Sequence, residues 1–188
     1  MIHYFSNREI SQKLEINLAR WKRWSRSFLP PDPLGGMRSG YARQYLFRDV
    51  IKVYLGGHLI THLKMSVPQS ATVVNDLVPW LKKNGYLDVN GWGVKGEHDG
   101  CQIKEEFVFF CPLPSADPKR GAVFRYLIRQ RVDRRSDASS PHRYVTETYR
   151  ESFINCAASD GTSMLRDPEV HMVNPGALVR RAVERLCV

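Results

Sequence analysis

No stretch of this 188-residue sequence approaches the roughly 20 consecutive apolar residues that cross a bilayer. The opening MIHYFSNREI also lacks the basic-then-apolar order of a secretory leader. Together these absences give the expectation of a cytoplasmic protein with no membrane partner. Cysteine is scarce and scattered: Cys101, Cys111, Cys156 and Cys187 include no C-x-x-C pair. Neither a zinc site nor a disulfide framework is signalled, and reduced, partly buried thiols are expected.

Catalytic signatures are missing as well. There is no Gly-x-Ser-x-Gly, phosphate loop or dinucleotide fingerprint. His58 and His62 stand four apart on a helical segment, a spacing that can bind metal, yet no H-E-x-x-H acid or third ligand accompanies them. The expectation is therefore a protein that is not an enzyme and uses no cofactor or metal. An enzyme in the C-terminal half would need a deep pocket with paired titratable groups.

Acid is what the N-terminal third has little of. Residues 1–64 carry 11 Lys and Arg against 4 Asp and Glu, whereas residues 65–188 carry 17 against 15. Most of the formal net charge of +9 is thus concentrated in one third of the chain, which suits a polyanionic partner such as nucleic acid. With 43% hydrophobic residues, the chain can still bury one sizeable core or two small ones.

Ser6 followed by Glu9 has the spacing of a capping box, and Ile10 and Leu14 share one face, so a short amphipathic helix is predicted over SNREISQKL. Asn17 can cap a second helix, LARWKRWSRSF, whose Leu18, Trp21, Trp24 (or Ser25) and Phe28 form an inward stripe. Arg20, Arg23 and Ser27 line the opposite strip, with Lys22 and Arg26 beside them and no acid among them. Two short helices joined by a tight turn, the second one basic and outward, make a helix-turn-helix candidate; a helical hairpin with a solvated basic face has the same periodicity.

Pro30, Pro31 and Pro33 forbid further helix, and Gly35-Gly36 supplies a turn. SGYARQYLF is compatible with a strand. Next, Arg48 to Lys64 is predicted to be helical, with Val50, Ile51, Tyr54, Leu55, Leu59 and Leu63 as a wide stripe. Gly56-Gly57 weakens that helix by roughly 1 kcal/mol per glycine, so close packing or a kink is expected there. Ser66 caps a fourth helix ending near Asn84, with Pro79 bending or separating its last turn.

After Gly85 the pattern changes. GYLDVNGWGV, CQIKEEFVFFC, GAVFRYLIRQRV and HRYVTETYRESFI suit a small antiparallel sheet, the last with helix as an alternative. Arg129 to Asp137, RQRVDRRSD, is expected to be a charged turn, with phosphate or nucleotide binding through Arg131 and Arg135 as the alternative. Asn174-Pro175 opens a terminal helix with Leu178, Val179, Ala182, Val183 and Leu186 on one face.

Residues 4 to about 85 resemble the MerR-type winged helix-turn-helix family of transcription regulators. That family's recognition helix ends in Leu-Arg-Tyr-Tyr/Trp-Glu-x-x-Gly-Leu, a place taken here by Trp21-Lys-Arg-Trp24-Ser-Arg-Ser-Phe-Leu29. Its wing carries a basic residue, a gap and Gly-Tyr-Arg-x-Tyr; here Arg38 precedes Gly40-Tyr41-Ala42-Arg43-Gln44-Tyr45. Ser25 stands where the family has an acid, Phe28 where it has glycine and Lys22 where it has arginine, and one extra residue separates Tyr41 from Arg43.

The resemblance implies a mainly α winged helix-turn-helix over residues 1–85; with the strand-like runs and terminal helix that follow, an α+β chain is expected, with a C-terminal α+β domain over 86–188 containing an antiparallel sheet and a terminal helix. The second domain would sense, dock or dimerise. The implied function is that of a bacterial-type transcription regulator binding double-stranded DNA. Arg20, Arg23 and Ser27 would contact the major groove, Lys22, Arg26, Arg38 and Arg43 the phosphates, and the Tyr41 hydroxyl the backbone. Tyr45 is expected to pack. Homodimerisation through the C-terminal region and contact with RNA polymerase or another protein are further expectations, although the family's long dimerising helix is not evident. The reading from another class is a protein-interaction module whose winged helix does not read DNA.

Overall fold

The computed structural model describes residues 4–32, 42–88, 106–113, 122–137 and 144–187. It is a mixed α+β protein with two antiparallel sheets, and it divides into two compact units: Met1–Cys101 with Ala177–Val188, and Gln102–Gly176.

In the first unit the capping box forms as its spacing predicts. Ser6 Oγ accepts from the Glu9 backbone N–H at 3.2 Å, and Glu9 Oε2 accepts from the Ser6 N–H at 3.4 Å, so two donors that the helix start would orphan are satisfied. Helix α1 (Asn7–Lys13) follows, preceded by strand β1 (Tyr4–Ser6), which no sequence pattern signals. Glu15 takes a left-handed conformation (φ 56°) in the turn after α1, and Asn17 Oδ1 accepts from the N–H groups of Ala19 and Arg20 at 3.0 and 3.2 Å to start α2 (Leu18–Phe28).

β2 (Gln44–Leu46) pairs antiparallel with β1, setting Phe5 opposite Tyr45. Of the strand-compatible SGYARQYLF only these three residues are extended among those described; Ser39 to Tyr41 lie outside the described residues, and Phe47 already begins helix α3 (Phe47–Thr61). α3 therefore starts and stops earlier than the stripe suggests, since Lys64 is in the left-handed region (φ 57°) and ends the helical path. Ser66 caps α4 (Val67–Lys83) by a second capping box with Gln69. α4 runs unbroken through Pro79, so its last turn is not a separate helix. Pro79 and Asn75 are both exposed, so the carbonyl that loses its helical N–H partner is left to water.

The apolar stripes meet in one core. Trp21, Val50, Val53, Leu59, Val73 and Leu77 are fully buried, with α2 packed on α3 and α3 on α4. Gly56 and Gly57 are where α2 comes closest: a Cβ on Gly56 would lie 2.5 Å from the Phe28 ring. The terminal helix α6 (Pro175–Leu186) closes on the same unit. Lys13 Nζ donates to the Leu186 carbonyl at 2.7 Å, and Arg185 donates to Glu15 Oε2 at 2.7 Å.

The second unit is a four-stranded antiparallel sheet in the order β5-β4-β3-β6, from β3 (Glu106–Pro112), β4 (Phe124–Asp137), β5 (Tyr144–Ile154) and β6 (His171–Val173). RQRVDRRSD is not a turn but the second half of β4, and the Tyr144 segment is strand rather than helix. Of GYLDVNGWGV, Gly85 to Asp88 form turns rather than strand, and Val89 to Val94 lie outside the described residues. The short α5 (Gly161–Met164) lays Met164 against Cys111 and Leu127. Among the described residues β3 pairs with β4 only from Phe124 to Gln130, and the rest of β4 and its β5 partners form a two-stranded ribbon, bulged between Arg131 and Asp133.

Candidate nucleic-acid interface

α2 divides sharply into two faces. Trp21, Trp24, Ser25 and Phe28 are buried, while Arg20, Lys22, Arg23 and Arg26 are exposed. The burial is specific: the Trp21 and Tyr45 rings meet edge to face at 5.5 Å, and the indole of Trp24 lies over Gly57. The Tyr45 hydroxyl donates to Asn7 Oδ1 at 2.8 Å and lies 3.1 Å from Ser25 Oγ, which itself donates to the Lys22 carbonyl. α1, α2 and β2 are thus locked together beneath the basic face. This is why Tyr45 packs, as its place in the sequence suggests.

The individual cations are held to different degrees. The Arg20 guanidinium lies 6.0 Å from the Trp24 ring centroid, and Arg26 Nε donates to the Lys22 carbonyl at 3.2 Å. Ser27 is half-buried and its hydroxyl donates to the Arg23 carbonyl at 3.2 Å, so it is partly engaged by its own helix. Arg43 spans the two sides of the intervening loop: its Nη2 donates to the Pro30 carbonyl at 2.9 Å, and its guanidinium lies 5.5 Å from the Tyr45 ring centroid. Arg38 and Tyr41 lie outside the described residues.

None of Arg20, Lys22, Arg23, Arg26 and Arg43 has a carboxylate partner among the described residues. Arginines of the sheet contrast with them. Arg129 pairs with Glu151 at 2.7 Å, Arg131 and Arg134 with Glu147 at 3.1 and 3.6 Å, and Arg135 with Asp133 at 2.8 Å. The ribbon therefore neutralises itself, and the Glu147 carboxyl is held below its usual range by the Tyr149 hydroxyl and by Arg131 and Arg134.

A cleft of about 980 Å³ opens between the start of α1, α2 and β2. Lys22, Arg26 and Arg43 line it, together with Arg8, a residue on a helix that looks purely supporting in sequence. The available signal was that Arg8 lies off the Ile10 and Leu14 face. Asn7, Ser25 and Tyr45, the hydrogen-bonded trio, also line the cleft.

Other clusters do less. His58 and His62 stack at 4.5 Å, and burial, His62 and Arg181 together push His58 down to about 4. Arg125 bridges Cys111 Sγ at 2.9 Å and Asp167 Oδ2 at 3.0 Å, inside the second unit. Among the described residues no group of three or more His, Cys, Asp and Glu is placed to hold a metal, and no helix is long and apolar enough to cross a membrane. The chain matches no protein-family model, and no curated protein is significantly similar to it.

Proposed function

We propose that the first unit is a MerR-like winged helix-turn-helix that binds double-stranded DNA, and that the chain is a transcription regulator. The observation that carries this reading is the face of α2, where four exposed cations, without a carboxylate partner among the described residues, stand on a helix whose other side is buried core. An 11-residue helix is about 16 Å long, and a helix of ordinary diameter fits a major groove about 12 Å wide. Arg20 and Arg23 read base edges, with Ser27 a lesser contact because its hydroxyl is shared with the Arg23 carbonyl. Lys22, Arg26, Arg38, Arg43 and the Tyr41 hydroxyl meet the backbone. Uncompensated surface cations gain most from a polyanion because its condensed counterions are released on binding.

Regulation would proceed through distortion of the duplex or recruitment of RNA polymerase, with the second unit as the docking or sensing part. The apolar face of α6 is buried within the chain at Leu178, Val179, Ala182 and Leu186, so homodimerisation through the C-terminal region would use another surface. Duplex binding followed by fluorescence anisotropy across a salt series tests the reading. Arg23→Ala with Arg43→Ala should weaken binding and flatten the salt slope. A wild-type chain with no duplex affinity at low salt would sink the DNA reading, and retention of an acidic protein by the same face would favour the interaction-module reading instead.

A further inference from the structure

The cleft beside α2 differs from the rest of the basic face in being concave and chemically mixed. Four cations reach it from three separate elements: Arg8 from α1, Lys22 and Arg26 from α2, and Arg43 beside β2. Among the described residues Asp32 is the one acid on its wall, while Leu18, Leu29 and Pro30 supply apolar surface. Arg26 and Arg43 are each oriented by one hydrogen bond to a backbone carbonyl, at 3.2 and 2.9 Å. A guanidinium has five N–H donors, so most of them remain available after that bond is made. The Asn7, Tyr45 and Ser25 hydrogen bonds hold the floor, which joins the same three elements.

Resting on the duplex-binding reading above, we infer that this cleft seats one sugar–phosphate step of the DNA backbone, and that Arg8 is a ligand of its phosphate. The chemistry fits in both halves. The guanidinium and ammonium groups match phosphate oxygens, and the leucine and proline wall matches the apolar face of a deoxyribose. Such a contact carries no base information; it sets the register of α2 in the groove, so its loss lowers affinity to the same degree on every sequence.

The full chain is titrated against a labelled mixed-sequence duplex over a NaCl series, as wild type, Arg8→Gln and Lys82→Gln, the last an exposed cation of α4 that does not line the cleft. Arg8→Gln should weaken binding severalfold and lower the salt slope by about one, while Lys82→Gln leaves both nearly unchanged. Duplexes with single neutral methylphosphonates should include a position that weakens wild type but not Arg8→Gln. Equal affinity and slope for wild type and Arg8→Gln would overturn the cleft assignment and leave duplex binding standing. Absence of wild-type binding would overturn both. Inorganic phosphate is the second arm: millimolar phosphate that changes the tryptophan fluorescence of wild type but not Arg8→Gln, without competing with duplex, would assign the cleft to the free anion and overturn the backbone seat. Thermal melts verify that each variant is folded.

Discussion

Gly57 lies directly beneath Trp24: a Cβ placed on Gly57 would fall 2.3 Å from Trp24 Cζ3. Glycine is there because only a bare backbone lets the recognition-helix candidate sit this close to α3. Alanine at 57 gains up to about 1 kcal/mol of helix propensity but must push the indole aside, and overpacking typically costs about 1–3 kcal/mol. Gly57→Ala is therefore expected to lower the urea midpoint, with Gly56→Ala acting the same way through Phe28. A stabilised Gly57→Ala would mean that the two helices are not seated as described.

Tyr45 joins β2 to α1 and α2 through its ring and its hydroxyl. Tyr45→Phe keeps the edge contact with Trp21 but strips the partner from Asn7 Oδ1, a change expected to cost about 1–2 kcal/mol. Tyr45→Ala removes the ring too and should cost about 3–5 kcal/mol. Chemical denaturation of the two variants measures the difference; equal losses would show that the hydroxyl network carries the weight rather than the packing.

His58 gives the fold a pH dependence of definite sign. Burial, aided by the His62 ring and Arg181, lowers it from 6.5 to about 4, so the folded chain favours the neutral imidazole. Its contribution is complete above pH 6.5 and is lost as pH falls from there toward 4. His58→Gln should flatten the decline in urea midpoint between pH 7 and pH 4.5; a variant that declines as steeply as wild type would remove His58 as a cause.

The thiols should be slow. Burial pushes both Cys156 and Cys187 up from 9.0, and Cys111 is fully buried against Leu127 and Met164. Alkylation of the native protein at pH 7, mapped by peptide mass spectrometry, is expected to mark Cys156 and Cys187 weakly and Cys111 only on unfolding. Rapid labelling of Cys111 in the native state would place that strand outside a packed core.

Much of the first unit is legible in residue order, because its determinants are local. Ser6 with Glu9 and Ser66 with Gln69 are capping boxes whose parts lie three residues apart, and the α2 stripe repeats every three or four residues. Strands β1 and β6 are not legible in this way. Each is three residues long, too short for alternation to register, and each exists only because a distant strand supplies its hydrogen bonds. The misreading of RQRVDRRSD has a related cause. Charge and Asp content suggest a turn, but across the ribbon those arginines find Glu147 and Glu151, whose positions only the strand register reveals.

For the candidate site the division is similar. Periodicity alone places Arg20, Lys22, Arg23 and Arg26 on one side of a helix and the tryptophans on the other, since 3.6 residues per turn leave no other arrangement. Tertiary structure decided which of those cations lie in a cleft, that Arg8 joins them from α1, that Arg43 is tied to the Pro30 carbonyl, and that the terminal helix folds back onto Leu14 and Glu15. These are contacts between elements tens to more than a hundred residues apart. They are selected by the packing of whole faces, which no short window of sequence contains.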